Sequence, residues 1–152
     1  MLVIVTGEFE LGTDGPGVIV VGVDGSPTSL RAGAYAAGLA RRQNARVAVV
    51  HVQRAPAMSE FAPSAWPAIE DTMIEAAQEV RDEVEAGAAH HGVAVDFHSV
   101  RGDPYTEITR IADELRADAV VVGASTRLGH RLIGSLAVRL VQAGRWPVTV
   151  VP

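Results

Sequence analysis

At 152 residues the chain is one domain's worth of material, long enough to bury a sheet between helices and too short for two ordinary domains. Hydrophobic residues make up 48% and charged residues 20%, so the chain can supply a large interior and does not read as disordered. The formal charge is −5, with basic residues falling singly or in short pairs such as Arg41-Arg42, and there is no cysteine. That excludes a phosphate-neutralising strip for nucleic acid, a disulfide framework, a thiolate metal site and a cysteine nucleophile.

The start, Met1-Leu-Val-Ile-Val-Thr-Gly7, is apolar for only four residues after the methionine and is followed by Glu8 and Glu10. It reads as neither a signal peptide nor a membrane span, so the expected location is the cytoplasm, with no membrane partner. Residues 1–17 form an N-terminal extension in which residues 2–6 are either an extra edge strand or a tail. Residues 18–152 are the expected domain.

Val18-Ile-Val-Val-Gly-Val23 is a continuous β-branched run suited to a strand covered on both faces. Asp24-Gly-Ser-Pro27 then turns the chain, Ser26 capping a helix and Pro27 fitting its first turn. That helix runs to about Gln43, and its Gly33, Ala34, Ala37 and Gly38 suggest close packing against the sheet. Arg46 to Val52 is a second buried strand, and residues 53–66 read as a loop.

From Pro67 to about His91, Ile69, Met73, Ala77, Val80, Val84 and Ala88 recur at helical spacing and mark a core face. Val93 to Val100 alternates as a strand at a sheet edge would. Gly102-Asp-Pro104 opens another helix, with Asp103 as its cap. Ala119-Val-Val-Val-Gly123 is a further buried strand, Gly134 to about Gly144 a short helix, and Pro147-Val-Thr-Val-Val151 a last strand.

Strands alternating with helices predict an α/β three-layer sandwich around a mainly parallel sheet. Ligands then bind beyond the carboxyl ends of the strands, near the reversal in strand order. The candidate rim is Asp24, Val52 to Gln53, Arg101 to Asp103, and the segment from Gly123 onward.

Val21-Gly-Val-Asp-Gly-Ser26, His51-Val52, Gly102-Asp-Pro104, Val122-Gly-Ala-Ser125, Gly134-Ser135 and Pro147-Val-Thr-Val-Val151, in that order and spacing, resemble the universal stress protein family over roughly residues 18–152. The resemblance implies a five-stranded sheet in the order 3-2-1-4-5 and a homodimer through the C-terminal strand. In members that bind ATP or another adenine nucleotide, a Gly-x2-Gly-x9-Gly-Ser/Thr loop wraps the phosphates. There, by resemblance, Gly123, Thr126, Gly134 and Ser135 are the loop positions, Asp24 lies near ribose and adenine, and Val52 meets the base through its backbone.

This sequence departs from that pattern in two ways. Thr126 stands at the second glycine, and ten residues separate Gly123 from Gly134 where the pattern has twelve. Gly129, Arg127, His130 and Arg131 nevertheless keep flexible backbone and positive or titratable groups before a helix N-terminus that favours an anion. The segment Gly129 to Ser135 lacks the lysine of a Walker A loop, and Gly22-Val-Asp-Gly25 lacks the three-glycine dinucleotide fingerprint.

Each residue also has a plain structural reading. Asp24 could be a turn carboxylate, Ser135 a helix cap, Thr126 a loop residue and His51 a satisfied core histidine. No metal-ligand spacing and no catalytic set emerges, although Ser125, Ser135, His130 and Asp24 leave weak ATP hydrolysis open. The expected function is regulation through ligand or partner binding in a stress or metabolic response. The alternatives are an adenine-nucleotide sensor using ATP with magnesium, a slow ATPase, or a ligand-free dimeric adaptor.

Overall fold

The computed structural model describes residues 16–54, 63–125 and 134–152. Its elements are β1 (Val18–Gly22), α1 (Pro27–Gln43), β2 (Arg46–Gln53), a 3-10 turn (Pro63–Ala65), α2 (Trp66–His91), β3 (Val95–Arg101), α3 (Pro104–Glu114), β4 (Ala119–Gly123), α4 (Ser135–Ala143) and β5 (Val148–Val151). The five strands form one sheet in the order β3-β2-β1-β4-β5, every pair parallel. Residues 2–6, the proposed extra strand, lie outside the described residues.

The sequence runs explain this arrangement. Ile19, Val20 and Val21 of β1 and Val120 and Val121 of β4 are fully buried, as residues of central strands covered on both faces must be. Successive side chains alternate between two cores. Val20, Val50, Val120 and Val122 join Ile108, Ile111 and Leu140 beneath α3 and α4. Ile19, Val21, Val47 and Val49 join the alanines of α1 on the other face, where Val80 and Val84 of α2 also pack. Edge strand β3 is half-exposed as a sheet edge should be, but the expected alternation breaks at His98: Asp96, Ser99 and Arg101 are exposed, whereas Val95, Phe97, His98 and Val100 are half-buried.

The small residues of α1 divide differently from expectation. Ala32, Ala36, Ala37 and Ala40 are buried on the sheet, whereas Ala34 is exposed and Gly33 and Gly38 only half-buried. An alanine stripe therefore makes the close approach, because the helix presents positions 32, 36 and 40 on one line. Gly33 and, in α2, Gly87 carry the cost of helix-interior glycine, about 1 kcal/mol each relative to alanine, at positions where an added Cβ would meet no crowding.

Helix starts follow local chemistry. Ser26 caps α1, its Oγ accepting from Ser29 N at 3.3 Å. Asp103 caps α3, its Oδ1 accepting from Thr106 N at 3.0 Å. The start of β1 is tied to the start of β4 by Asp118, whose Oδ2 accepts from Gly17 N and Val18 N, each at 2.9 Å. Among the described residues no helix is long and apolar enough to cross a membrane.

Candidate functional site

Strand order reverses between β1 and β4, and the helices that follow them, α1 and α4, pack on opposite faces of the sheet. The resulting recess has a volume of about 410 Å3, within the range of small-molecule sites. Asp24 after β1, Val52 of β2, Gly123 of β4, and Gly134 and Ser135 at the head of α4 all line it. Thr126, Arg127 and Gly129 lie outside the described residues, as do His130 and Arg131.

Asp24 is held by its own turn. Its Oδ1 accepts from Ser26 N at 3.0 Å, and its backbone N–H donates to Ser29 Oγ at 3.2 Å. Ser29 Oγ in turn donates to Ser26 O at 2.9 Å. Gly25 supplies the left-handed backbone of this turn at φ 82°. Burial pushes the Asp24 carboxyl up, but hydrogen bonds from Ser26 and Ser29 outweigh it and leave the pKa below its ordinary value. Asp24 is thus an ionised, oriented acceptor at the rim, and its role in the turn coexists with its place in the recess.

Gly123 has a steric reason to be glycine. A Cβ there would stand 2.6 Å from the Thr28 carbonyl carbon and 2.7 Å from Ser29 N, so β4 ends in direct contact with the first turn of α1. At α4 the structure corrects one expectation. Gly134 is the N-cap, with no side chain to bond the first turn, and Ser135 is the first helical residue. The first intrahelical bond runs from Val138 N to Gly134 O at 3.1 Å. The helix itself therefore offers no acceptor for the N–H groups of Ser135, Leu136 and Ala137, which makes this end suited to an anion.

Other rim residues go elsewhere. Arg101 pairs with Glu70 of α2 at 3.0 Å and does not line the recess. Asp103 serves as the α3 cap and meets Arg139 of α4 at 3.3 Å, which ties the two helices beneath the recess. Arg54 does line it, a cation that sequence reasoning passed over because nothing in its neighbourhood forms a motif.

His51 is buried on β2, as expected, with its ring stacked on Phe97 at a centroid distance of 6.3 Å. It is not fully satisfied: Nδ1 is buried with no hydrogen-bond partner among the described residues. Burial lowers its pKa below the ordinary 6.5, and the negative charge of Asp24 only partly opposes this. The unfolded chain therefore takes up this proton first as pH falls. His51 contributes stability that is fully present above about pH 6.5 and is lost as pH falls toward the folded pKa. Urea midpoints measured between pH 7 and 5 should fall in the wild type, and His51→Leu should flatten that slope. An unchanged slope in the variant would assign the pH dependence to other groups.

Comparison with known proteins adds the following. The model of the universal stress protein family matches residues 17–152. The chain is similar to a universal stress protein of Methanocaldococcus jannaschii, 32% identical over 136 residues that cover 88% of this chain and 80% of that one. Among solved structures it resembles a universal stress protein family member from Burkholderia pseudomallei, at 28% identity and a TM-score of 0.73, covering 90% of this chain and 96% of the other. It also resembles the Archaeoglobus fulgidus universal stress protein in complex with dAMP, at 25% identity and a TM-score of 0.63, covering 88% and 96%.

Proposed function

Because the chain belongs to the universal stress protein family, we propose that it is a cytoplasmic regulatory protein acting through ligand or partner binding in a stress or metabolic response, with an adenine nucleotide as the ligand of this recess. One observation carries the reading: Asp24, Val52, Gly123, Gly134 and Ser135, drawn from four separate parts of the chain, line a single recess at the reversal of strand order. The nucleotide bound by the Archaeoglobus relative supports the ligand class.

In this proposal the head of α4 receives the phosphates, Asp24 accepts from ribose hydroxyls, and the Val52 backbone meets the base. Gly123 lets the strand end lie against α1 so that both walls of the recess stand close. Thr126, Arg127 and Gly129 belong to the phosphate-wrapping loop, and magnesium accompanies a bound triphosphate. No residue is assigned a catalytic role.

The shortened loop sets the expected strength. Two fewer residues remove two backbone donors, and threonine at position 126 restricts how the remaining ones aim. A charge-assisted hydrogen bond contributes roughly 1.5–3 kcal/mol, so losing one weakens binding about tenfold to a hundredfold. Titration calorimetry with magnesium and ATP should give a dissociation constant in the upper micromolar to millimolar range. A value below about 10 µM would contradict the impaired loop. No saturation by several millimolar would move the ligand-free adaptor ahead of the nucleotide reading.

A homodimer through β5 is part of the proposal. β5 is an edge strand whose residues are only half-buried within one chain, and Val138 and Val141 of α4 are exposed. Pairing two such edges satisfies their N–H and C=O groups and covers apolar area together. Sedimentation equilibrium should find a dimer at micromolar concentration, and a folded monomer there would sink the assignment.

A further inference from the structure

A second recess opens on the other face of the sheet, between α1 and α2, with a volume of about 200 Å3. Val47 and Val49 form its floor, Gly33 and Ala37 line it from α1, and Gly87 and Ala88 line it from α2. Glu83 and His91 are its ionisable lining residues. Glu83, Gly87 and His91 stand four apart on α2 and so share one helix face.

Both lining glycines sit inside helices, where glycine is worse than alanine. Crowding does not require them. A Cβ on Gly87 would meet no atom within 4 Å, and one on Gly33 would meet only Val23 Cγ2 at 4.0 Å. Helix glycines ordinarily permit a close crossing; here they line a recess, and a Cβ at position 87 would meet open space.

We propose that this recess binds a small aromatic molecule of one or two fused rings carrying a single N–H or O–H donor. Size and chemistry both point there. An apolar cavity of about 150 Å3 admits benzene, so the larger recess accommodates a second ring. The aliphatic lining excludes a charged body, and the Glu83 carboxylate, an acceptor only, matches a donor at the ligand's edge. The two recesses share a single lining residue, Val23, and no lining residue of this one belongs to the residues assigned to the nucleotide.

Indole is the probe. Added to the full-length chain and followed by 1H–15N correlation spectra, it should produce saturable shifts at the Gly33 and Gly87 amides, with a dissociation constant below about 1 mM. Gly87→Leu should weaken binding by about tenfold or more while leaving the magnesium–ATP titration unchanged. Should the leucine disturb helix packing, the Gly33→Ala, Gly87→Ala double variant gives the same test in smaller steps. It should melt at a higher temperature and bind indole about threefold more weakly. Absence of saturation, shifts confined to the Asp24 recess, or unchanged affinity in folded, filled variants would each overturn the proposal.

Discussion

Gly123→Ala should destabilise the protein by about 3 kcal/mol, at the upper end of what overpacking a core costs. The added methyl group would meet backbone, at 2.6 Å from the Thr28 carbonyl carbon and 2.8 Å from Thr28 O. A flexible side chain could swing aside, but Thr28 and Ser29 belong to the first turn of α1, which is buried and held by the Ser26 cap. Relief therefore requires shifting the helix or bending β4, and β4 is paired on both sides. Gly134→Ala provides the internal comparison. Its Cβ would meet the Ser125 side chain at 3.0 Å, a milder conflict costing about 1 kcal/mol. Urea denaturation of the two variants should separate them clearly, and a Gly123→Ala midpoint indistinguishable from wild type would refute the close-contact argument.

Asp24→Asn should lower adenine-nucleotide affinity roughly tenfold to a hundredfold, the worth of one hydrogen bond to a charged acceptor, with little loss of stability. The amide oxygen can still accept from Ser26 N, so the turn survives, but the charge held below its ordinary pKa by Ser26 and Ser29 is gone. Asp24→Ala removes both functions. It should match the asparagine variant in affinity and additionally lose about 1 kcal/mol of stability, the net value of an ordinary hydrogen bond. Calorimetric titration alongside urea melts distinguishes the two effects. Wild-type affinity in the asparagine variant would leave Asp24 a turn residue and nothing more.

The fold was legible because its signals are local. Val18 to Val23 and Ala119 to Gly123 have the continuous β-branched character of strands buried on both faces, and Ser26-Pro27 and Asp103-Pro104 announce helix starts without reference to anything distant. The site was legible only as a set of strand ends. That Asp24, Val52 and Gly123 share a recess follows from topology, but the steric contact that demands glycine at 123 is made with α1, far away in sequence. For the same reason Arg101 could be placed at the rim from its position at the carboxyl end of β3, yet its partner Glu70 lies on α2, 31 residues earlier. Ser135 read equally as a cap or a ligand. The choice of Gly134 as the cap depends on the backbone there, at φ −67° and ψ 159°, which composition does not specify.

The tie between Asp118 and the start of β1 joins positions 100 residues apart, and this sets the order in which the protein can be assembled. β1 occupies the centre of the sheet, so it can find β2 soon after both exist, but its other side must wait for β4. Closing so long a loop carries a large entropic cost before any contact repays it, and parallel pairs of this kind fold slowly for their size. During synthesis, the β4 side of a fully apolar strand stays unpaired until residues 119–123 have emerged. Across that interval the half-built sheet presents an open edge to any neighbouring chain, the kind of unpaired edge that makes folding intermediates prone to aggregation.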